Sequence, residues 1–220
     1  MKVLITLGPT QEPIDEVRYI TNASSGKMGA ALARETIARG HKTTIVAGPV
    51  NIELPMNTKI IRVKTAKEMT DESLKELERG YDIFISTAAI ADYSPEFCAG
   101  KMKSGTGDLT LRMRENLKLT ALARMRFPEL FIVAFKAECL TGEELIAAAS
   151  AKLAREGLDL IVANDVRKTA GKDEAEAYVI DKKKSYVFIP HQTKDNIVKG
   201  VLDIILNEAE GGKRFSHDKE

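Results

Sequence analysis

The sequence predicts an α/β protein: a doubly wound, mostly parallel, Rossmann-like sheet carrying a flap and a hairpin as extensions. Three observations carry this reading. Short apolar runs of strand length alternate with amphipathic runs of helix length along the chain. The strand-like runs at Val3–Leu7, Asp82–Thr87, Phe131–Phe135 and Leu158–Ala163 read as buried strands of the parallel type. Polar segments follow Leu7, Thr87, Phe135 and Ala163, so in a parallel sheet they meet on one rim, where such sheets bind ligands.

In order, Met1–Leu7 is the first strand, and Gly8-Pro9-Thr10 turns the chain into a long polar stretch, Gln11–Gly29. Ala30–Arg39 reads as a helix stopped by Gly40. Lys42–Ala47 and Thr58–Val63 are the next strands. Thr65 and Glu68 have the spacing of a capping box and open a helix that ends near Gly80. Asp82–Thr87 follows as a strand. Residues 94–108 hold Pro95, Gly100, Gly105 and Gly107 without a clear period, and read as a functional flap. Asp108–Arg114 alternates as a half-exposed strand, Leu117–Arg126 reads as a helix, and Phe131–Phe135 as a strand. Glu143–Glu156 is an amphipathic helix ended by Gly157, and Leu158–Ala163 is a further strand. Ala177–Ile180 and Ser185–Ile189 form a hairpin around Lys182-Lys183-Lys184, and Thr193–Asn207 is the last helix. Residues 1–207 thus make one domain, and the polar stretch 208–220 reads as a flexible tail.

With 220 residues, 44% hydrophobic and 30% charged, the chain buries a sizeable core in one domain. A net charge of +1 points to neither nucleic acid nor a lipid surface. Cys98 and Cys139 lack the spacing of a zinc site or a disulfide framework. No apolar run is long enough to span a bilayer, and no signal-like start precedes the first strand, so a cytoplasmic enzyme or binding domain is expected.

The stretch Gln11–Gly29 lies between the first strand and the first helix. Asn22, Ser24, Ser25 and Gly26 leave backbone N–H groups exposed, Lys27 adds charge, and a helix N-terminus follows. That combination suits an anion; a polar turn with a good N-cap is the simpler alternative. A Rossmann-type NAD(P)-dependent reductase is the first rival. Its glycine fingerprint belongs directly after the first strand, whereas Gly26-x-x-Gly29 stands far downstream of Gly8. The second strand ends in Ala47-Gly48, with no acidic residue for a ribose. Tyr178 and Lys182 are four apart, as a short-chain reductase needs, but on a hairpin, where that spacing makes no helical turn.

The run Glu12-Pro13-Ile14-Asp15-Glu16-Val17-Arg18-Tyr19-Ile20-Thr21-Asn22-Ala23-Ser24-Ser25-Gly26-Lys27-Met28-Gly29 resembles the signature of phosphopantothenoylcysteine synthetase (phosphopantothenate–cysteine ligase). Ala88-Ala89-Ile90-Ala91-Asp92-Tyr93, Lys101-Met102-Lys103, Phe135 with Glu138, and Asp159–Val166 match further elements in the same order, up to about Leu206. Bacterial members usually carry a flavin-dependent decarboxylase ahead of this domain; because the chain opens on its first strand, a stand-alone ligase without flavin is expected. The resemblance implies joining 4'-phosphopantothenate to L-cysteine in coenzyme A biosynthesis, through an acyl-nucleotide intermediate. CTP is the activating nucleotide of the bacterial type and ATP that of eukaryotic relatives. It also implies Mg²⁺, bound mainly through nucleotide phosphates with protein ligands unknown, and a homodimer with Asp108–Arg114 and the flap near the partner.

The resemblance assigns catalytic roles to Arg18 and Asn22 at the acyl end of the site and to Lys101 on the triphosphate. Gly8, Ser24, Ser25 and Gly26 would bind the nucleotide, with Ser24, Ser25 and Gly26 cradling phosphate. Ser86, Thr87 and Ala88 would line the nucleotide, and Asp92 would take its ribose, base or metal. Phe135 matches an aromatic beside the base, Lys136 adds a charge, and Lys152 matches a nucleotide-contacting lysine. Some positions depart from the family pattern. Lys-Ile-Lys-Lys reads Lys101-Met102-Lys103-Ser104, and Asn-Pro-Asp-Ile reads Asn116-Leu117-Lys118-Leu119. Glu156 replaces a second lysine one turn after Lys152, and Phe135-Lys136-Ala137-Glu138 stands nearer to eukaryotic relatives. These changes bear on the choice of nucleotide more than on the reaction. A nucleotide-binding module that kept the fold but lost activity is the reading from another class.

Overall fold

The computed structural model describes residues 1–105, 107–169 and 174–211. Strand β1 (Lys2–Leu7) is followed by a small ribbon, β2 (Gln11–Pro13) with β3 (Tyr19–Thr21), and by helix α1 (Lys27–Ala38). Then come β4 (Lys42–Ala47), β5 (Lys59–Arg62), α2 (Ala66–Leu77) and β6 (Ile83–Ser86). A second ribbon pairs β7 (Tyr93–Pro95) with β8 (Met113–Glu115), before α3 (Leu119–Arg126), β9 (Phe131–Glu138) and α4 (Gly142–Glu156). The chain continues through β10 (Leu160–Asp165), α5 (Val166–Thr169), β11 (Glu174–Asp181), β12 (Tyr186–Thr193) and α6 (Lys194–Ala209).

The main sheet has eight strands in the order β12-β11-β10-β9-β6-β1-β4-β5. Strands β5, β4, β1, β6, β9 and β10 are mutually parallel, and β11 and β12 add an antiparallel edge. Numbered by their order among the parallel strands, this is the doubly wound 3-2-1-4-5-6 arrangement, whose switch point lies between β1 and β6. Both faces are covered. Val3, Ile5 and Leu7 of β1 pack with Ala30 and Leu32 of α1 and with Val201 and Ile205 of α6. Leu4, between them in sequence, turns to the other face with Met69 and Leu74 of α2, Ala123 of α3 and Leu153 of α4. Leu4 and Ile5 are both fully buried, each contributing about 1.5–3 kcal/mol against exposure. No helix among the described residues is long and apolar enough to cross a membrane.

Local signals held where they were local. The Thr65 hydroxyl accepts from Glu68 N at 3.1 Å while Glu68 Oε2 accepts from Thr65 N at 3.3 Å, closing the expected capping box, worth about 1 kcal/mol. The hairpin around Lys182–Lys184 forms as expected, with longer arms. Tyr178 lies on β11 and Lys182 in the turn after it, so the two do not share a helical turn.

Several boundaries differ by a residue or two, and some by more. The polar stretch is partly ordered as the β2–β3 ribbon, and α1 begins at Lys27 rather than Ala30. Of the expected strand Asp108–Arg114, only Met113 and Arg114 belong to β8, and they pair outside the main sheet with β7, part of which lies inside the expected flap. Arg112 O still accepts from Glu96 N at 3.0 Å, but, among the described residues, 108–111 pair with no strand. Strand β9 runs through Glu138, because parallel pairing to Asn164 and Asp165 draws Lys136–Glu138 into the ladder. Helix α6 reaches Ala209, two residues into the expected tail, and residues 212–220 lie outside the described residues.

Candidate functional site

A cleft of about 800 Å³ opens above the C-terminal ends of β1, β6, β9 and β10. Its floor is set by the switch point, where the chain leaves β1 through Gly8 and β6 through Thr87 in opposite directions. Pro9 and Ala89 still pair as an isolated bridge, and Thr87 Oγ1 donates to Thr6 O at 2.6 Å, so the two exits are tied together.

The anion side is built by the segment before α1. Gly26 stands at the N-cap with φ +73°, and no side chain caps the helix. A Cβ there would lie 2.7 Å from Val50 Cγ1, so the left-handed turn and the close approach both call for glycine. Ser24 Oγ and Ser25 Oγ accept from the amides of Gly26 and Lys27 only at 3.4 Å. Helix α1 carries no acidic residue in its first turn, so its positive end faces the cleft uncompensated. Gly29, one turn into α1, rests against the sheet: a Cβ would sit 2.3 Å from Thr87 Oγ1 and 2.5 Å from Leu7 Cβ. Gly8 does not line the cleft; its backbone backs Gly26.

Asn22 is anchored to the opposite exit. Its Nδ2 donates to Ala89 O at 3.1 Å and Ile90 O at 3.4 Å, leaving Oδ1 without a partner among the described residues. Thr21 Oγ1 donates to Thr10 O at 2.7 Å and steadies the same bend. The far wall carries Asp92, Asn116, Lys118, Phe135, Lys136, Glu138, Lys152 and Glu156. Lys118 Nζ pairs with Asp92 Oδ1 at 2.7 Å, and Lys136 Nζ with Glu138 Oε1 at 2.5 Å. Asn116 donates through Nδ2 to Ala91 O at 2.9 Å and holds this segment against the β6 exit. Lys152 is half-buried and has no hydrogen bond or ion pair among the described residues. Burial pushes its ammonium pKa below the ordinary lysine value, against an opposing pull from Glu156. Glu156 itself is buried and accepts from Thr120 Oγ1 at 2.5 Å.

The structure therefore brings together Asn22, Ser24, Ser25, Gly26, Ser86, Thr87, Ala88, Asp92, Phe135, Lys136 and Lys152. It does not bring Arg18 and Lys101 to this cleft. Those two line a separate, shallower depression with Met102 and Lys103. There the Arg18 guanidinium is committed to Asp15 Oδ2 at 2.9 Å and to Met102 O at 2.5 Å. Asn116 and Lys118 went unassigned in the sequence. Lys118 carries no local signal for the site, because its partner Asp92 belongs to a different loop and the pair exists only in three dimensions.

Chemically, the cleft offers a helix N-terminus for one anion, lysines for a second, a half-buried aromatic ring and an anchored amide. Among the described residues no three acidic, histidine or cysteine side chains converge on one point, and Asp92 and Glu138 already face lysines.

Residues 1–208 match the family described as the DNA/pantothenate metabolism flavoprotein C-terminal domain. The coenzyme A biosynthesis bifunctional protein CoaBC of Vibrio parahaemolyticus is 44% identical over 168 residues, covering 74% of this chain and 41% of that protein. The chain spans about half the length of the curated relatives it matches. A crystal structure of the C-terminal domain of CoaBC is 27% identical, superposes with a TM-score of 0.80 and covers 96% of each chain. A Cab2 mutant in complex with phosphopantothenate-cysteine shares the fold at 18% identity, with a TM-score of 0.73 over 96% of this chain and 86% of that one. The strand order, the cleft at its switch point and these likenesses converge: the chain belongs to the DNA/pantothenate metabolism flavoprotein C-terminal domain family.

Proposed function

We propose that this chain joins 4'-phosphopantothenate to L-cysteine through an acyl-nucleotide intermediate, in coenzyme A biosynthesis. The observation that carries this reading is the pairing, in one cleft, of an uncompensated helix N-terminus with an anchored Asn22 and the lysines of the far wall. A carboxylate is a poor electrophile until one oxygen becomes a nucleotidyl phosphate. The first step therefore forms a bond between the pantothenate carboxylate and the α-phosphorus and breaks the bond to pyrophosphate. In the second, the cysteine amine attacks the acyl carbon, the nucleoside monophosphate leaves, and the amine loses a proton.

In this reading the Ser24–Gly26 amides and the end of α1 hold a phosphate, and Asn22 orients the acyl group. Lys118, Lys136 and Lys152 offset charge on the triphosphate, and Phe135 flanks the base. Mg²⁺, held mainly by the nucleotide phosphates, would supply Lewis-acid neutralisation of their charge. Lys101 would reach the phosphates from the flap. The relatives' names and the phosphopantothenate-cysteine bound to the Cab2 mutant support the substrate class.

CTP is the proposed nucleotide. ATP is the second reading, favoured by Lys118 in place of the bacterial aspartate and by the buried carboxylate of Glu156 beside Lys152. Incubation with 4'-phosphopantothenate, cysteine and each nucleotide in turn tests both. Pyrophosphate and ligated product with CTP are expected; product with ATP alone replaces the nucleotide assignment, and product with neither overturns the ligase reading.

A homodimer is part of the proposal. Tyr19, Tyr93, Phe97, Leu109, Met113 and Leu117 are all exposed, and they belong to the two ribbons, the flap and the turn that follows β8. So many large apolar side chains in these neighbouring segments suit a protein partner, and a second copy covering residues 108–111 gives that stretch a neighbour.

A further inference from the structure

The flap that carries Lys101 is not loose in this structure. Its segment from Cys98 to Met102 is fastened to the tip of the β2–β3 ribbon by a set of bonds that meet at one carboxylate. The side chain of Asp15 is completely buried. Its Oδ1 accepts from the amides of Val17 at 2.8 Å and Arg18 at 2.7 Å. Its Oδ2 accepts from Arg18 Nε at 3.0 Å and, across to the flap, from Met102 N at 3.1 Å. Arg18 closes the ring by donating to Met102 O at 2.5 Å. Two backbone bonds flank it, Cys98 N to Ile14 O at 2.9 Å and Glu16 N to Gly100 O at 3.4 Å. Gly100, at φ +77°, turns the chain immediately before Lys101, whose side chain is left exposed.

We propose that Asp15 is a positioning residue for the flap: by holding both Arg18 and the Met102 amide, it fixes where the Lys101 ammonium stands relative to the cleft. Arg18 shares in that fastening through Asp15 Oδ2 and Met102 O. The physical reason is satisfaction. A buried carboxylate needs several donors, and the β2–β3 tip supplies all but one of those described; the flap amide supplies that one. Neutralising the carboxylate removes the charge that makes these bonds strong and leaves Met102 N to water. Among the described residues, the Cys98–Met102 segment then keeps to the ribbon tip two backbone bonds and the Arg18–Met102 contact, and such a segment opens locally while the sheet stays folded. The part of this inference that concerns Lys101 rests on the proposed ligase function; the fastening of the flap does not.

The test uses the full chain and two readouts. Trypsin cuts after Lys101 and Lys103 when the flap opens, and fragments are followed by mass spectrometry, with cleavage in the exposed Lys182–Lys184 turn as the internal control. Asp15→Asn is expected to speed flap cleavage about ten-fold or more while the control rate and the thermal midpoint for the sheet stay put. Arg18→Ala, at a half-exposed side chain, should act in the same direction and covers the case in which Asp15→Asn fails to fold. Unchanged flap cleavage in a folded variant overturns the inference.

The second readout is pyrophosphate–nucleotide exchange. Asp15→Asn should lower its kcat about ten-fold with less effect on the nucleotide KM, and should cost nothing further in a Lys101→Ala background. An equal added loss in that background refutes action through Lys101. If the unaltered chain shows no exchange, the proposed function falls, while the cleavage result still decides the fastening.

Discussion

Replacing Gly29 by alanine tests the link between helix packing and the anion site. Gly29 lies inside α1, so its backbone tolerates any L-residue, and alanine alone would favour the helix by about 1 kcal/mol. The added methyl, however, would stand 2.3 Å from Thr87 Oγ1 and 2.5 Å from Leu7 Cβ. Neither neighbour yields easily: Thr87 is tied to Thr6 O at 2.6 Å, and Leu7 is itself fully buried. Contacts this short place the cost at the upper end of overpacking, about 3 kcal/mol, leaving a net loss of about 2 kcal/mol. For a chain of this size that lowers Tm by about 4–8 °C.

Relief of the clash requires α1 to move off the sheet by about an ångström, which carries Ser24–Gly26 with it; misplacement on that scale costs a catalysed step about a hundred-fold. Calorimetry and the ligation assay measure the two effects. In a Thr87→Ala background, which removes the nearer contact, the Tm penalty of Gly29→Ala should shrink. An unchanged or raised Tm for the single variant refutes the packing argument, and a lowered Tm with normal turnover refutes its connection to the site.

Asn22→Asp places a carboxylate against the carbonyl oxygens of Ala89 and Ile90, now its Nδ2 acceptors, and should lower ligated product about a hundred-fold in a timed assay. Lys152 loses its proton below the ordinary lysine value of 10.5, because burial disfavours the ammonium; nucleotide affinity should therefore weaken early on the alkaline side. Lys152→Arg should move that limb of the pH profile of KM upward, and coincident profiles would exclude Lys152 from nucleotide binding. Asp15 titrates at about 2, where backbone donors and Arg18 oppose the effect of burial. Because its folded value is depressed, its contribution is complete above about 3.8 and is lost as pH falls through about 2. The amide shifts of Arg18 and Met102 should report a transition near the lower value; one near the ordinary carboxylate range removes Asp15 as their acceptor. Tyr93→Asp or Leu117→Asp should reduce the mass measured by light scattering from two chains to one, if the exposed apolar residues meet a second copy.

The parts of the fold that were legible in sequence are those governed by neighbours along the chain. Thr65 and Glu68 announce a helix start because both halves of the capping box lie within one turn. The run Lys42–Ala47 reads as a strand with its final boundaries because its β-branched core, Thr43-Thr44-Ile45-Val46, stands between Gly40 and Gly48. The β2–β3 ribbon was hidden because each of its strands is only three residues long, too short to show a period, and β8 because its partner β7 lies across the flap. Most of the cleft was legible too: segments that follow parallel strands must reach one rim, so Asn22, Thr87, Phe135 and Asn164 were bound to gather there.

The pairings of charge were not legible. Nothing along the chain links Lys118 to Asp92, or Met102 to Asp15, since each bond is made between loops that only the folded sheet brings together. Arg18 shows the difference most clearly. Its place in the family-like run points to the substrate, yet burial of Asp15 gives the guanidinium a strong acceptor three residues away and turns it toward the flap. The amino-acid sequence alone determined the α/β class, the rim on which a site must form and the kinds of group it would hold. Tertiary structure decided which of those groups share the cleft and which hold the flap, because electrostatic partners are chosen by distance through space after the backbone has folded.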